Sequence, residues 1–303
     1  MTISRNTLLL IIFISSLCSC TKEKTAGDLY DLNLDTTAGQ IGIAVITPDG
    51  DTMTVNNSAD YPLMSVFKLH EALAVADALA AQSQTFDSVL HINRSELSTD
   101  TWSPMLKDYP SGDIEISAGD LVKYSLLESD NNASNLLFER IATVEQTDSF
   151  VRSLDGMPQD FEIKYTERQM QADHPKAYHN RTSPLACAIL INKTLNETLT
   201  DRAMQDSIVM WLGNCQSALG RMAAAVAQFP DTRLYHRTGS GYTNENGEIA
   251  AVNDVGVIVF PDGRKLTVAV LIKDFVGEQA QADSVIAAVT TQIISRFADR
   301  DEN

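Results

Sequence analysis

Segments typical of β-strands lie at both ends of this 303-residue chain, and segments typical of α-helices fill the part between them. Residues 41–47 and 52–55 are rich in branched apolar side chains and flank a Pro-Asp-Gly turn, which predicts a hairpin. Three further strand-like runs lie near the other end, at residues 234–238, 249–260 and 266–273. A strand needs neighbouring strands to pair with and a second layer to cover its apolar face. Strands at both ends with helices between them therefore predict that the two ends of the chain fold together. We predict an α/β fold of the α+β type, with a mixed lobe built on a five-stranded antiparallel sheet flanked by helices, plus an inserted all-helical lobe.

The strongest helical pattern covers residues 65–82, where apolar side chains recur every three or four residues, and it begins at or just before Ser65. Similar patterns predict helices at residues 118–127, 133–141, 184–195, 202–212 and about 278–297. Residues 160–182 differ, because they are polar and follow no regular period. A loop of that length within a compact domain usually has a function, so this segment belongs to the candidate site.

The first twenty residues have the order of an export signal, with Arg5 in front of a short apolar run at 8–17. This run is too short to span a bilayer. A small residue directly precedes Cys20, as in a bacterial lipobox. We expect residues 1–19 to be a lipoprotein signal peptide, Cys20 to be lipidated and residues 20–38 to be a tether. The protein is then periplasmic, held to the membrane of a Gram-negative bacterium by its lipid anchor alone, and cleavage to a soluble periplasmic product is the alternative.

The acidic balance of the chain excludes one class of partner. With a formal net charge of −17 and a sequence pI of about 4.6, the protein repels phosphate backbones, so we expect no nucleic-acid partner.

His174 and His179 beside Asp173 are the nearest approach to a metal cluster, but in a polar segment they are typical of solvated loop residues. We expect neither a metal nor a cofactor. Cys187 and Cys215 can pair in an oxidising compartment, and the sequence leaves that pairing open.

Ser65 and Lys68 form a Ser-x-x-Lys pattern at the start of the strongest helix. This spacing puts the amine on the same helix face as the hydroxyl, about one turn away, where it can take the hydroxyl proton. A lysine that is desolvated near other positive charge has a pKa low enough for that task. Free backbone N–H groups at a helix start also favour negative charge on an attacked carbonyl oxygen. The pattern alone is loose, because Ser19 and Lys22 match it in the leader.

Ser129, Asp130 and Asn131 form a second polar motif between two predicted helices. Ser129 can pass a proton to a leaving nitrogen, and the Asn131 carboxamide can hold a substrate amide. These residue types are also good N-caps, so capping of the next helix is the alternative interpretation.

Arg237, Thr238 and Gly239 form a third motif at the end of a predicted strand, with Ser240 beyond them. A cation and a hydroxyl at a strand edge can bind a carboxylate, and glycine allows close approach of the backbone to a ligand. An ordinary edge strand with a glycine-rich turn is the alternative.

The three motifs occur in the order Ser-x-x-Lys, Ser-Asp-Asn and basic-Thr-Gly, each in the secondary structure that its role requires. On these motifs the chain resembles the class A serine β-lactamases over essentially its whole mature length. Trp102 in a Trp-Ser-Pro triplet, Trp211 and the Asn253-Asp254 pair agree with the family pattern. The stretch at 129–138 looks especially like the extended-spectrum and Bacteroides-type cephalosporinase branch.

The resemblance implies a fold similar to serine β-lactamases and penicillin-binding transpeptidases, in one discontinuous catalytic domain. Residues 39–62 and 213–303 form its α/β lobe, and residues 63–212 form its helical lobe, with an Ω-type loop at about 160–182. It also implies a monomer that needs no cofactor and hydrolyses a small-molecule β-lactam substrate, a penicillin or cephalosporin, which confers antibiotic resistance.

The resemblance also implies a role for each candidate residue. Ser65 attacks the β-lactam carbonyl, and Lys68 and, through water, Glu167 accept its proton. Ser129 passes a proton to the ring nitrogen, the backbone N–H groups of Ser65 and Ser240 form the oxyanion hole, and Glu167 then activates the hydrolytic water. The expected substrate-binding residues are Trp102, Asn131, Gln171, Arg221, Arg237, Thr238 and Gly239.

Three positions depart from the family pattern. Gln171 stands where the Ω-type loop usually has asparagine, and its extra methylene shifts the amide. Asn180 stands where an acidic residue usually closes the loop through an ion pair. Arg237 replaces a lysine, which keeps the charge but excludes proton transfer. Arg221 either adds a second guanidinium to the site or forms a surface ion pair.

Two other functions share the acylation step: a D-Ala-D-Ala peptidase or transpeptidase, and a β-lactam-binding sensor lipoprotein that stays acylated. Glu167 separates them from a hydrolase, because release of the acyl group needs a carboxylate that activates water. A non-enzymatic lipoprotein whose motifs are accidental is the remaining alternative.

Overall fold

The computed structural model describes Leu29, Leu32, residues 37–111 and residues 113–298. The expected signal peptide at 1–19 and the expected lipidation site at Cys20 lie outside these residues, as does most of the expected tether. In the part of the chain that is described, no helix is both long and apolar enough to cross a membrane.

Two leucines of the expected tether belong to the packed structure. Leu29 is 1% exposed and Leu32 is 6% exposed, and both join a hydrophobic cluster with residues of the sheet. These leucines bury their side chains ahead of the first strand, within the range 20–38 that the sequence assigns to a tether.

Ten strands form three sheets in the described residues, and the largest sheet joins the two ends of the chain as predicted. Its order is β2-β1-β10-β9-β8, with every pair antiparallel, and the two smaller sheets are β3-β7-β6 and β4-β5. The strands are β1 (Gln40–Ile46), β2 (Thr52–Val55), β3 (Tyr61–Pro62), β4 (Val89–Ile92), β5 (Ile114–Ser117), β6 (Phe161–Glu162), β7 (Arg181–Thr182), β8 (Arg233–Ser240), β9 (Ile249–Val259) and β10 (Lys265–Phe275).

The predicted long helices are all present, and each starts and ends within two residues of its predicted bounds. A ten-residue helix at Val144–Ser153 was not predicted, and shorter helical turns join the rest. The α-helices are α1 (Phe67–Ala81), α2 (Met105–Asp108), α3 (Ala118–Leu127), α4 (Asn131–Arg140), α5 (Val144–Ser153), α6 (Glu167–Ala172), α7 (Pro184–Asn196), α8 (Arg202–Leu212), α9 (Met222–Val226) and α10 (Gln279–Ala298).

Helices cover both faces of the large sheet. Along β1 the side chains alternate between two hydrophobic clusters: Ala44 joins the larger cluster with α1, α3, α4, α7 and α8, and Ile43 and Val45 join the smaller one with α9 and α10. All residues of β9 except Val259 are buried, which agrees with cover on both sides. Helix α7 lies in the range 63–212 that the sequence assigns to the helical lobe, yet it packs on β1, β9 and β10. The boundary between the lobes stays a prediction.

The predicted helix at 65–82 begins with a tighter 3₁₀ turn, Met64–Val66, and becomes α-helical only at Phe67. Met64 has a φ of +46°, a left-handed conformation that an ordinary side chain adopts only at a cost of about 1–3 kcal/mol. This turn places Ser65 at the junction between β3 and α1. Helix α1 is buried on almost every side, so the polar groups that it carries lie in the core.

The segment at 160–182, expected to be irregular, contains short regular elements: β6, α6, a 3₁₀ turn at His174–His179, and β7. β7 pairs with both β6 and β3, so the two ends of the segment lie side by side and the chain between them forms an Ω-shaped loop. Thr166 caps α6 in a capping box with Gln169. The expectation of an irregular segment is wrong because elements of two to six residues are too short to show a hydrophobic period.

Candidate active site

Five predicted residues from three parts of the chain meet at the start of α1. The Ser65 hydroxyl donates a hydrogen bond to Glu167 Oε1 at 2.9 Å, and Lys68 Nζ lies 3.0 Å from the same oxygen. Lys68 also donates to the Ser129 carbonyl at 2.8 Å and to Asn131 Oδ1 at 2.7 Å, and its Nζ lies 3.4 Å from Ser129 Oγ. The expected link from Ser65 to Glu167 through water is replaced in this structure by a direct contact.

Lys68 is fully buried, and this decides its acid–base behaviour. Burial lowers the pKa of Lys68 because it disfavours the charged amine, and the Arg237 guanidinium lowers it further, whereas Glu167 raises it. The direction that results is a pKa below the ordinary value for lysine. An amine in that state, with the Ser129 hydroxyl 3.4 Å away and Glu167 between it and the Ser65 hydroxyl, is equipped to exchange protons with these groups.

Ser129 lies between the two cations of the site. Arg237 Nη2 donates to Ser129 Oγ at 2.7 Å, on the other side from Lys68. Ser129 has a φ of +61°, so its backbone is held in the left-handed region at an energetic cost. Strain of this kind persists where the surrounding structure fixes the residue, and here Asp130 does so. Its carboxylate accepts hydrogen bonds from Ser103 and from the backbone N–H groups of Met105 and Ala133.

Asp130 therefore combines the two interpretations of the Ser-Asp-Asn motif. It is the N-cap of α4, as the capping alternative expected, and it fixes the loop that presents Ser129 and Asn131. The motif is at once a helix cap and part of the site.

Arg237 is buried, and no carboxylate in the described residues forms an ion pair with it. Its guanidinium donates instead to hydroxyl and carbonyl oxygens, including Ser129 Oγ and, at 3.3 Å, Ser217 Oγ. A buried cation that lacks a direct anionic partner is costly, so its retention indicates a binding role for an anion. Ser217 also contacts Thr238 Oγ1 at 2.6 Å.

Gly239 lets the end of β8 pass directly beside Ser65. A methyl group at this position would lie 2.7 Å from the Leu63 carbonyl oxygen and 3.3 Å from the Ser65 backbone nitrogen, which is too close for any side chain. The end of β8 and the start of α1 therefore approach each other at Ser65 and Ser240, the two residues whose N–H groups are the candidate oxyanion donors.

Arg221 is buried, so it is not a surface residue, and it is not one of the described residues that line the cleft in front of Ser65. It is 1% exposed, pairs with Asp283 at 2.7 Å and donates to the carbonyls of Gly239 and Asn253 at 2.9 and 2.8 Å. Its remaining nitrogen donates to Ser240 Oγ at 2.6 Å. The expectation of a second guanidinium in direct contact with a ligand is corrected: Arg221 fixes the backbone at the end of β8.

A cleft of about 520 Å³ opens in front of these groups, large enough for a drug-sized molecule. Its walls come from α1, the Ser-Asp-Asn loop, α6, the loop before α9 and β8. The residues that line it are Ser65, Trp102, Glu128, Ser129, Asn131, Glu167, Gln216, Ser217, Ala218, Thr238, Gly239 and Ser240.

Gln171 is not among those residues, because its carboxamide is used elsewhere. It donates to the Asp100 carbonyl and accepts a hydrogen bond from Thr101 Oγ1 at 3.0 Å, and Thr101 Oγ1 in turn accepts from Asn131 Nδ2 at 3.0 Å. Gln171 thus contacts the site only through Thr101. Trp102 borders the cleft with 62% of its surface exposed and is fixed by a hydrogen bond from its ring N–H to the Glu128 carbonyl.

Asn180 closes the Ω-shaped loop without an ion pair. It is fully buried, its Oδ1 accepts the backbone N–H groups of Lys164 and Tyr165 at 2.8 and 2.9 Å, and its Nδ2 donates to the Tyr165 carbonyl at 2.7 Å. A neutral carboxamide replaces the ion pair by matching one donor and one acceptor face to the loop backbone.

Glu71, which the sequence did not single out, lies one turn after Lys68 and is fully buried. Burial raises the pKa of its carboxyl to about 8, although hydroxyl hydrogen bonds from Ser134 and Ser125, at 2.8 and 3.0 Å, favour the charged form. A glutamate inside an otherwise apolar helical pattern is the signal that could have identified it. Ser217 and Thr101 gave no such signal, because each is one polar residue in a polar loop.

Cys187 and Cys215 are both free and buried, so the two thiols do not pair in this structure. His174 stacks on Tyr242 with ring centroids 4.1 Å apart. Within the described residues, no group of three or more His, Cys, Asp or Glu side chains could hold a metal ion.

Comparison with known proteins gives a consistent family. The sequence profile described as the beta-lactamase enzyme family matches residues 27–297. A β-lactamase of Phocaeicola vulgatus is 45% identical over 258 residues, which covers 85% of this chain and 80% of that protein. The TLA-3 extended-spectrum β-lactamase structure matches with a TM-score of 0.82 at 29% identity, over 86% of this chain and 94% of its own. A class A β-lactamase structure from Bacteroides cellulosilyticus matches with a TM-score of 0.80 at 28% identity, and the match covers 86% of this chain and 93% of that one.

Proposed function

The chain belongs to the β-lactamase enzyme family and is a class A serine β-lactamase that opens the amide bond of β-lactams, and we propose that Ser65 is the residue acylated in this reaction. One observation carries this assignment. The Ser65 hydroxyl lines the cleft and donates to Glu167 Oε1, which also contacts Lys68, so one oxygen links the nucleophile to a carboxylate and an amine.

In the acylation step Ser65 Oγ attacks the β-lactam carbonyl carbon while its proton passes to Lys68 or Glu167. Glu167 Oε1 accepts the Ser65 hydroxyl hydrogen bond directly, and Lys68 Nζ, whose pKa burial lowers, lies 3.0 Å from the same oxygen, so Lys68 can exchange a proton with Ser65 through this carboxylate. The backbone N–H groups of Ser65 and Ser240 are the donors to the carbonyl oxygen as it becomes negative. Gly239 supports this role because it allows those two backbones to approach each other.

When the ring C–N bond breaks, the ring nitrogen must receive a proton. Ser129 is the donor in this proposal, since its hydroxyl lies 3.4 Å from Lys68 Nζ, which can return a proton to it. Arg237 Nη2 donates to the same hydroxyl at 2.7 Å and so directs the hydroxyl proton away from the guanidinium, towards the cleft or Lys68.

Arg237 and Thr238 are assigned to the carboxylate that penicillins and cephalosporins carry beside the ring nitrogen. Arg237 is fully buried and is not among the residues that line the cleft, so it offers its positive charge from behind Ser129, without a direct carboxylate partner in the described chain, whereas the Thr238 hydroxyl lines the cleft itself. Asn131 lines the other wall, where its carboxamide suits the amide of a substrate side chain, and Trp102 covers the entrance.

Release of the acyl group distinguishes a hydrolase from a transpeptidase or a sensor that stays acylated. Glu167 borders the cleft in contact with Ser65 Oγ, which is where a general base for the hydrolytic water must lie. The β-lactamase relatives favour hydrolysis over both alternatives.

Steady-state hydrolysis of the chromogenic cephalosporin nitrocefin by the mature chain tests the function, with Ser65→Ala as the control. We expect turnover by the wild-type protein and none by the variant. No hydrolysis above that control contradicts the proposal. Mass spectrometry after mixing then separates a hydrolase, which returns to the free mass, from a sensor, which keeps the added mass on Ser65.

We also propose that the protein is exported to the periplasm of a Gram-negative bacterium, anchored by a lipid on Cys20, and acts as a monomer. The leader pattern supports the first two points, and a cleft lined within one chain supports the third. Metabolic labelling with a fatty acid, followed by membrane fractionation of wild type and Cys20→Ala, tests the anchor. Label on a soluble wild-type protein, or equal label on the variant, contradicts it, and light scattering of the mature chain tests the monomer.

A further inference from the structure

A cluster of three ionisable side chains lies behind Arg237 and Thr238: Cys215, His236 and Asp254, here called the Cys215 cluster. His236 Nδ1 lies 2.9 Å from Asp254 Oδ1, and the His236 ring interacts with the Cys215 thiol. All three residues are buried. The mechanism proposed above uses none of them, although Arg237 and Thr238 follow His236 directly on β8.

Ser217 connects this cluster to the cleft. Its Oγ lies 3.3 Å from Cys215 Sγ and 2.6 Å from Thr238 Oγ1, and it accepts a hydrogen bond from Arg237 Nη1 at 3.3 Å. A hydroxyl has one proton and two lone pairs. Because Arg237 already takes one lone pair, Ser217 must donate to one of its other two neighbours and accept from the other.

The charge on Cys215 therefore decides how the hydroxyl of Thr238 is used. A thiolate can only accept, so Ser217 donates to it and Thr238 must donate to Ser217, which leaves Thr238 with lone pairs towards the cleft. A neutral thiol that donates to Ser217 reverses the chain, and Ser217 then donates to Thr238. Only in this second arrangement is the Thr238 proton available to a bound carboxylate.

We propose that Cys215 is a positioning residue for the substrate carboxylate, which it controls through the hydroxyls of Ser217 and Thr238. The inference rests on the proposed function, because it assumes that Thr238 binds the carboxylate of a β-lactam. The neutral thiol favours binding, and the thiolate opposes it both by turning the Thr238 hydroxyl and by adding negative charge beside the anion.

The surroundings of Cys215 place the ionisation of its thiol near neutral pH. From β8, His236 and Arg237 face the thiol, and from β9, Asp254 contacts His236. Burial opposes ionisation of the thiol, but the neighbouring His236 ring and the charge of Arg237 outweigh it, so the pKa of Cys215 falls to about 7. Burial likewise opposes charge on His236, yet Asp254 and Cys215 raise its pKa to about 10, which keeps the ring cationic over this range.

The test is the pH dependence of KM for two substrates, a cephalosporin with its free carboxylate and the methyl ester of the same compound. We expect KM of the wild type for the free acid to rise about tenfold from pH 6 to pH 8, with a much smaller change in kcat. The ester, which has no anion to orient, should show no such rise. Cys215→Ser and Ser217→Ala should flatten the KM profile for the acid, because each breaks the link to Thr238.

Cys187→Ser is the matched control, since Cys187 is a second buried thiol. Burial raises the pKa of Cys187 to about 12. Its hydroxyl contact is Thr182, on strand β7 of the three-stranded sheet. Its profile should match that of the wild type. A KM that rises equally for acid and ester, or that rises undiminished in Cys215→Ser, overturns the inference. If the variants do not fold, the comparison of acid and ester on the wild-type protein still decides it. Loss of all hydrolysis in wild type at pH 6 contradicts the proposed function instead.

Discussion

Glu167 Oε1 accepts the Ser65 hydroxyl hydrogen bond at 2.9 Å although the two residues are 102 positions apart in the chain. The Lys68 amine lies 3.0 Å from the same oxygen. The nucleophile therefore has two candidate bases, but only one of them is a carboxylate. Removing it leaves Lys68 to assist the attack on the substrate and removes the group assigned to the water that follows.

Glu167→Gln should separate the two halves of the reaction. We expect kcat for a cephalosporin to fall about 10²- to 10⁴-fold, the range typical of a lost general base, while acylation persists. Intact-mass measurement should show the protein carrying one substrate equivalent for minutes, and Ser65→Ala should show none. Wild-type turnover by Glu167→Gln contradicts the assignment of Glu167.

Arg237→Ala should weaken binding of the substrate carboxylate. Hydrogen bonds to charged groups contribute about 1.5–3 kcal/mol, so we expect KM for a carboxylate-bearing β-lactam to rise roughly 10- to 100-fold. Arg237→Lys should recover part of the loss, because it keeps the charge without the planar fork. Steady-state kinetics on the acid and its methyl ester check this, and an equal loss on both substrates goes against carboxylate binding.

Glu71→Gln should change how the stability of the protein depends on pH. The folded-state pKa of Glu71 is about 8, above the value near 4.3 in an unfolded chain. Between these values the folded state holds a proton that the unfolded state has released, so stability falls as pH rises, by up to about 1.4 kcal/mol per unit. Relative to wild type, the free energy of unfolding of Glu71→Gln should rise by about 1–3 kcal/mol from pH 5 to pH 8.

Denaturant unfolding at several pH values measures this difference. Glu115→Gln is the control, because Glu115 is exposed on β5 and its substitution should leave the difference from wild type nearly constant. A Glu71→Gln difference that is equally constant means that Glu71 is charged in the folded protein.

Asn180→Ala should loosen the Ω-shaped loop. It removes three hydrogen bonds to the backbone of Lys164 and Tyr165, and we expect the free energy of unfolding to fall by about 2–4 kcal/mol. Because the loop carries Glu167, release of the acyl group should slow more than its formation. Denaturant unfolding and the lifetime of the acyl-enzyme check both points. A stable variant with wild-type deacylation shows that Asn180 does not hold the loop.

Much of the fold could be predicted because it follows from local patterns. The five strands of the large sheet and most of the long helices are long enough to show a period, and strands at both ends of the chain predict that the two ends share one sheet, in which β1 pairs with β10. The elements of two to six residues within 160–182 were missed for the opposite reason. They exist because of partners elsewhere, such as the pairing of Thr182 with Tyr61.

The residues of the site likewise divide into those that sequence motifs identify and those that only the packed structure places. Ser65, Lys68 and Ser129 belong to motifs whose order along the chain indicates a common site, and the structure brings them together. Gln171 could not be placed from sequence, because its position depends on the loop at Asp100, which it contacts in space and not in the chain. The contact of Ser217 with Thr238 likewise joins a loop to strand β8, and only the packed structure determines how closely the two approach.

The closure of the loop by Asn180 also bears on where this enzyme can work. Dissolved salt weakens ion pairs by screening their charges, but it has little effect on hydrogen bonds between neutral amides that are shielded from water. Since Asn180 is fully buried and joins the loop through neutral groups alone, its contacts should persist as ionic strength rises, whereas the exposed ion pairs Arg181–Glu162 and Arg168–Glu139 on the same loop should weaken. The part of the loop closure that Asn180 provides is therefore independent of salt concentration.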